Sequence, residues 1–177
     1  SILKREPERQ MTAARSVIVT GSSSGIGAAT AEAFGRQGYR VVLGARREER
    51  LAEVVKKIES AGGEAFAHSL DVTDTTSIDV FIEAATKKFG PVDILVNNAG
   101  LNRSALAADA ADEDLREDVE VNLLGPIFLT RRVLPAMIER HAGDVVFIGS
   151  DSAVRPRTYQ GAYSASKAGL EVFSRVV

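Results

Sequence analysis

The strongest constraint on the fold is one contiguous stretch, Arg15 to Ala45, RSVIVTGSSSGIGAATAEAFGRQGYRVVLGA. An apolar run, Val17-Ile18-Val19, leads into glycines at Gly21, Gly25 and Gly27. Helical periodicity follows, with Ile26, Ala29, Thr30, Ala33 and Phe34 near one face, then Gly38 and a second apolar run, Val41-Val42-Leu43. This order predicts strand, tight turn, helix, strand. Glycines at a strand-to-helix turn let the backbone approach a ligand. The helix start beyond them offers unpaired N–H groups and the positive end of a dipole, which suits phosphate. A dinucleotide site is the reading that follows. The spacing is Gly-x-x-x-Gly-x-Gly, not the commoner Gly-x-Gly-x-x-Gly, so a tight turn with close helix packing and no ligand stands beside it.

Composition narrows the function classes. The 177 residues can bury one core, and residues 15–177 are expected as one dinucleotide-binding domain. A net charge of -2 provides no field for nucleic acid or anionic membranes. There is no cysteine, which removes disulfides, thiol catalysis and thiolate metal sites and fits a cytoplasmic protein. His68 and His141 lie far apart without metal-ligand neighbours, so no metal site is expected. No apolar run approaches the ~20 residues of a membrane helix. Residues 1–14 read as a disordered extension, with Met11 a candidate original start, and lack the apolar centre of a secretory signal.

Strands and helices then alternate. Leu51, Val54, Val55 and Ile58 repeat at helical spacing before Gly62-Gly63, and Ala65–Leu70 reads as a third strand. Ile78, Phe81, Ile82 and Ala85 form the inner face of the next helix, and Ile94-Leu95-Val96 is a fourth strand. A long helix begins near Asp112, with Gly125-Pro126 and Pro135 as candidate bends. Val145–Ile148 is a fifth strand, and a last helix starts near Gln160. Continuous Val/Ile/Leu runs suit strands buried on both faces. The expected fold is α/β, a doubly wound parallel, Rossmann-like sheet with ligands at the carboxyl ends of its strands.

Those strand ends carry Thr20-Gly21-Ser22-Ser23-Ser24-Gly25-Ile26-Gly27, Asn97-Asn98-Ala99-Gly100 and Ser150; the next helix carries Tyr163-Ser164-Ala165-Ser166-Lys167. Tyr163 and Lys167 share a helix face. A lysine ammonium near a phenol favours phenolate: lowering a tyrosine pKa from ~10 by three units takes about 4 kcal/mol. A partly desolvated cation can supply much of that, making the pair a general acid/base near neutral pH. Tyr159 has tyrosine rather than lysine four residues on, so Tyr163 is preferred.

In TGSSSGIG, NNAG and YSASK, taken in that order, the chain resembles the short-chain dehydrogenase/reductase family from about Ser16 to Val177. The resemblance implies an oxidoreductase moving a hydride between a nicotinamide and a carbonyl or secondary alcohol. It implies Tyr163 as proton donor or acceptor and Lys167 as the residue that lowers its pKa and bonds the nicotinamide ribose. It implies Ser150, thirteen positions before Tyr163, as the substrate-orienting serine in preference to Ser152. Asn122, in VNLLG, would hold a water beside the lysine; the plainer reading is a helix asparagine bonded to backbone. Asp71 matches the family's adenine contact, with an ordinary turn residue as the alternative. The cofactor-binding set is therefore Gly21, Ser23, Ser24, Gly25, Ile26, Gly27, Arg46, Asp71, Val72, Asn98, Ala99, Gly100, Tyr163 and Lys167.

NAD sites usually place an acid at the end of the second strand to bind the ribose 2′-hydroxyl. Here that place holds Ala45 followed by Arg46. An arginine can bind a 2′-phosphate with two hydrogen bonds. NADP(H) is expected, with Arg46 as reader and Ser23 or Arg47 as helpers; a merely solvated helix start is the alternative. Against the family pattern, the last helix is expected to be cut short and a sixth and seventh strand and a substrate-covering loop to be missing, leaving the fifth strand as a sheet edge. The expected partner is a small carbonyl or alcohol, and a homo-oligomer, dimer or tetramer, is expected of a complete protein. The alternatives are a cofactor-binding but inactive truncated member of the family, and a structural module docking through exposed apolar surface.

Overall fold

In the computed structural model, residues 14–177 are described; the extension expected over residues 1–14, with Met11, lies almost wholly outside them. Five parallel strands form one sheet in the order β3-β2-β1-β4-β5. They are β1 (Ser16–Thr20), β2 (Arg40–Ala45), β3 (Glu64–Ser69), β4 (Ile94–Asn97) and β5 (Asp144–Phe147). Connecting helices are α1 (Gly25–Arg36), α2 (Glu48–Ser60), α3 (Thr75–Phe89), α4 (Asp112–Val119), α5 (Gly125–Glu139) and α6 (Gly161–Ser174). The chain order reverses beside β1, where β2 lies on one side and β4 on the other. In open α/β sheets the crevice beyond the strand ends at such a reversal is where ligands bind.

The central strands are buried on both faces, as their uninterrupted apolar runs require. Two apolar clusters cover the sheet. One joins Ile18, Val42 and Leu95 to α3 and α5 through Ile78, Phe81, Leu129 and Val133. The other joins Val17, Val19 and Leu43 to α1 and α2 through Ala31, Leu51, Val54 and Ile58. Among the described residues β5 pairs only with β4, at the edge of the sheet, and leaves Val146 exposed.

Two expectations are corrected. The buried side of α1 is Gly27, Ala31 and Gly35, whereas Ile26, Ala29 and Ala33 are exposed. Small residues let α1 lie close to its neighbours: a Cβ on Gly35 would stand 2.5 Å from Ile58 Cγ2. The helix from Asp112 does not run on as a continuous α-helix. It widens into a π turn at Glu120–Leu124, where the Gly125 N–H bonds the Glu120 carbonyl five residues back. Asn122 explains the slip, because its side-chain amide takes the Asp118 carbonyl (2.8 Å), the acceptor an α-helical backbone N–H would use.

The whole segment Asp112–Glu139 is long and apolar enough, by length and composition, to cross a membrane, contrary to the sequence reading. Its apolar window is 44 % buried, and Leu129, Val133 and Met137 sit in the core, so packing within the protein accounts for that composition.

Candidate functional site

The turn after β1 is shaped by its glycines. Gly21 has φ +64°, and a Cβ there would stand 2.7 Å from the Ala99 Cα. A Cβ on Gly27 would stand 2.5 Å from the Gly21 carbonyl oxygen. Gly25 has φ +57° and opens α1 into solvent. Thr20 and Asn98 bolt this turn to the end of β4. The Thr20 hydroxyl accepts the Asn98 and Ala99 N–H groups (both 3.0 Å), and Asn98 Nδ2 donates to the Thr20 carbonyl (2.8 Å). Thr20 did not emerge as a site residue from the sequence. Its only signal there is a hydroxyl residue closing an apolar run just before Gly21.

Beyond these strand ends lies a cleft of about 550 Å³. Of the expected cofactor-binding set, Gly21, Ser23, Ser24, Ile26, Gly27, Arg46, Asp71, Val72, Asn98, Ala99 and Gly100 line it. Gly44, Leu70, Leu101 and Val121 line it too, unanticipated, because apolar walls carry no motif. Gly25, Tyr163 and Lys167 are not among the residues bordering it. Gly25 serves the turn through its backbone conformation.

The residues fit a dinucleotide. The first turn of α1 carries no acid, and the side chain of its N-cap, Ser24, accepts no helix N–H, so N–H groups at the positive helix end stay open. The Ser22 hydroxyl is buried in the same turn without a hydrogen-bond partner. On the β2 side, Arg47 Nη2 donates to the Ser23 and Ser24 hydroxyls (3.0 and 2.8 Å). Arg46 reaches the other way, to Glu117 of α4 (3.9 Å). Asp71 accepts the Thr73 N–H and hydroxyl (3.0 and 2.8 Å), so it makes the turn as well as lining the cleft.

A second polar group adjoins the far end of the cleft. Gly100 is the junction: a Cβ there would stand 3.0 Å from Asn122 Oδ1 and 3.8 Å from Lys167 Nζ. Lys167 is buried and donates to the Ile148 carbonyl (2.7 Å) just past β5, and burial lowers the pKa of its ammonium. Its Nζ lies 6.0 Å from the centroid of the Tyr163 ring. Asn122 is fully buried and clasps Leu101, accepting its N–H (3.1 Å) and donating to its carbonyl (2.8 Å). The Asn122 side chain thus bonds backbone groups of Leu101 and Asp118.

The two serines after β5 separate. Ser152 is buried and donates to Gln160 Oε1 (2.9 Å), while the half-buried Ser150 caps the short turn that follows by accepting the Ser152 N–H (3.1 Å). Tyr159 is mostly exposed, and its backbone carbonyl accepts the Ala105 N–H (3.0 Å). The structure therefore gathers Asn122 and Lys167 at Gly100 and packs Tyr163 beside the lysine.

The sheet, the glycine turn and the cleft define a Rossmann-like α/β domain. The family model for short chain dehydrogenase matches residues 15–177, and the chain belongs to this family of oxidoreductases. It is 42 % identical over 161 residues to a short chain dehydrogenase of Pseudocercospora fijiensis, covering 90 % of this chain and 52 % of that protein. It is 37 % identical to the 3-oxoacyl-[acyl-carrier-protein] reductase of Thermotoga maritima, covering 86 % and 62 %. Among solved structures, the actinorhodin polyketide ketoreductase with NADPH superposes with a TM-score of 0.89 at 38 % identity, over 92 % of this chain and 63 % of that one. A metagenomic short-chain oxidoreductase in complex with NADP superposes at 0.88 and 37 % identity, over 92 % and 74 %. The chain thus spans between half and two thirds of the length of these curated relatives.

Proposed function

We propose that this chain carries the cofactor-binding and proton-transfer residues of an NADP(H)-dependent oxidoreductase that interconverts a carbonyl and a secondary alcohol. The observation that carries the reading is the meeting at Gly100 of the glycine-turn cleft with the buried Lys167 and Asn122. NADP(H) rests on Arg46 and Arg47 lining the cleft where an acid would select NAD, and on the nucleotides held by the structural neighbours. The bound nicotinamide supplies or accepts the hydride.

The protein's own part is binding, orientation and a proton. Ser23, Ser24 and the open first turn of α1 would hold the phosphates, Arg46 the 2′-phosphate, and Asp71 and Val72 the adenine side. Ser150 orients the substrate oxygen. The Tyr163 hydroxyl gives its proton to the carbonyl oxygen as the alcohol forms, and takes it back in oxidation. Lys167, held by the Ile148 carbonyl beside the Tyr163 ring, would stabilise the resulting phenolate as an ammonium. Asn122 keeps the Leu101 backbone, and so the cleft wall, in place. Residues 15–177 act as one domain in a cytoplasmic setting, and the α4–α5 and α6 faces are where a homo-oligomer would form. Tyr163→Phe tests the mechanism: carbonyl reduction is expected to collapse while NADPH binding stays, and near wild-type turnover in that variant would remove Tyr163 from its role.

A further inference from the structure

One ion pair links the Arg46 side of the cleft to α4. Arg46 ends the β2 side, and α4, one turn before the cleft-lining Val121, presents Glu117 from the opposite wall. Glu117 Oε1 faces Arg46 at 3.9 Å, and Oε2 accepts the Arg103 fork at 2.6 and 3.0 Å. Arg103 fixes the carboxylate but does not neutralise its surroundings. The same guanidinium also faces Asp114 (3.6 Å), and its backbone N–H is accepted by the buried Asp118 (3.1 Å). The Arg103 guanidinium therefore pairs with two carboxylates, Glu117 and Asp114. The Asp118 carboxyl is pushed up, mainly by burial; Arg103 opposes this, while Asp114 and Glu117 add to it. α4 itself carries the acids Asp112, Glu113, Asp114, Glu117 and Asp118 against one base, Arg116, so its formal charge is negative.

We infer that Glu117 is a specificity-determining residue, an internal anion that competes with the cofactor's 2′-phosphate for Arg46. The inference rests on the NADP(H) reading above. A phosphate entering the cleft must displace Glu117 from Arg46 and approach a wall already short of cations. The unphosphorylated ribose of NADH meets neither cost. Glu117 thus narrows the preference for NADPH that Arg46 creates, and its effect shrinks as salt screens both partners.

The test is calorimetric binding of NADPH and NADH to the full-length protein and to Glu117→Gln, which keeps an oxygen for Arg103 and removes the charge. Expected is NADPH tightened about fivefold, the scale of an exposed ion pair, with NADH within twofold. In an Arg46→Ala background the same substitution is expected to change NADPH binding less than twofold, because the coupling runs through Arg46. An unchanged NADPH/NADH ratio in Glu117→Gln overturns the inference, as does an equal gain with Arg46 absent. A parent protein that binds NADH as tightly as NADPH overturns the cofactor reading itself, and this inference with it.

Discussion

The glycine-turn end of the cleft and the polar group around Lys167 are built in opposite ways. The cleft is made chiefly of backbone: Gly21 and Gly27 touch the Ala99 and Gly21 main chains where a Cβ would stand, and open N–H groups start α1. The polar group is made of side chains brought from separate elements, Asn122 from the π turn, and Tyr163 and Lys167 from α6. A backbone-built site fails by sterics, and binding and stability fall together. A side-chain-built site can lose its chemistry while the fold stands.

Variants can break that contrast. The largest effect is expected from Tyr163→Phe, a loss of about 10²–10⁴-fold in carbonyl reduction with NADPH affinity within twofold. Steady-state rates beside calorimetry check it; a parallel loss of binding would erase the distinction. Gly21→Ala is expected to do the reverse, costing about 3 kcal/mol in urea unfolding and abolishing NADPH binding, since φ +64° and the Ala99 backbone both oppose a side chain. Gly38→Ala is the control. It too has positive φ, at +82°, but meets nothing within 4 Å, so about 1 kcal/mol is lost and cofactor binding persists.

The smallest effects are electrostatic. Burial lowers the folded pKa of Lys167 below its free value, so the unfolded chain binds more protons between the two. Stability should therefore rise with pH through the lowered folded pKa and level off above the free-lysine value of ~10.4. Lys167→Met should flatten that slope in urea midpoints taken across alkaline pH. Asp118 has the opposite sign. Its folded pKa is raised, chiefly by burial, so its contribution is most favourable below the free value of ~3.9 and is lost as pH rises through the folded value. Asp118→Asn should remove that loss and leave the protein more stable at pH 7, with the Arg103 N–H still accepted by the amide oxygen. A less stable Asn variant would mean the ionised form is the one the fold prefers.

Much of this was legible along the chain. The strand runs of β1, β2 and β4, the glycine turn and the inner face of α3 follow from local pattern, because parallel strands buried on both faces leave long apolar runs. The α1 face was misread for a physical reason: the helix packs through Gly27, Ala31 and Gly35, whose small size is the point, while the larger Ile26 is exposed at the cleft. The π turn was invisible because it depends on one Asn122 amide capturing a carbonyl. Ser150 and Ser152 differ only in what folds around them: Gln160 reaches the second and not the first.

By itself, then, the sequence determined the alternation of strands and helices, the positive-φ glycines and the Tyr163/Lys167 spacing, all of which are properties of neighbours along the chain. Tertiary structure alone decided that Gly100 would join the cleft to Asn122 and Lys167, that Thr20 would bolt β1 to the end of β4, and that Glu117 would face Arg46 across the cleft. Those pairs lie far apart along the chain, and only the crossover order of a parallel sheet brings their strand ends to one edge.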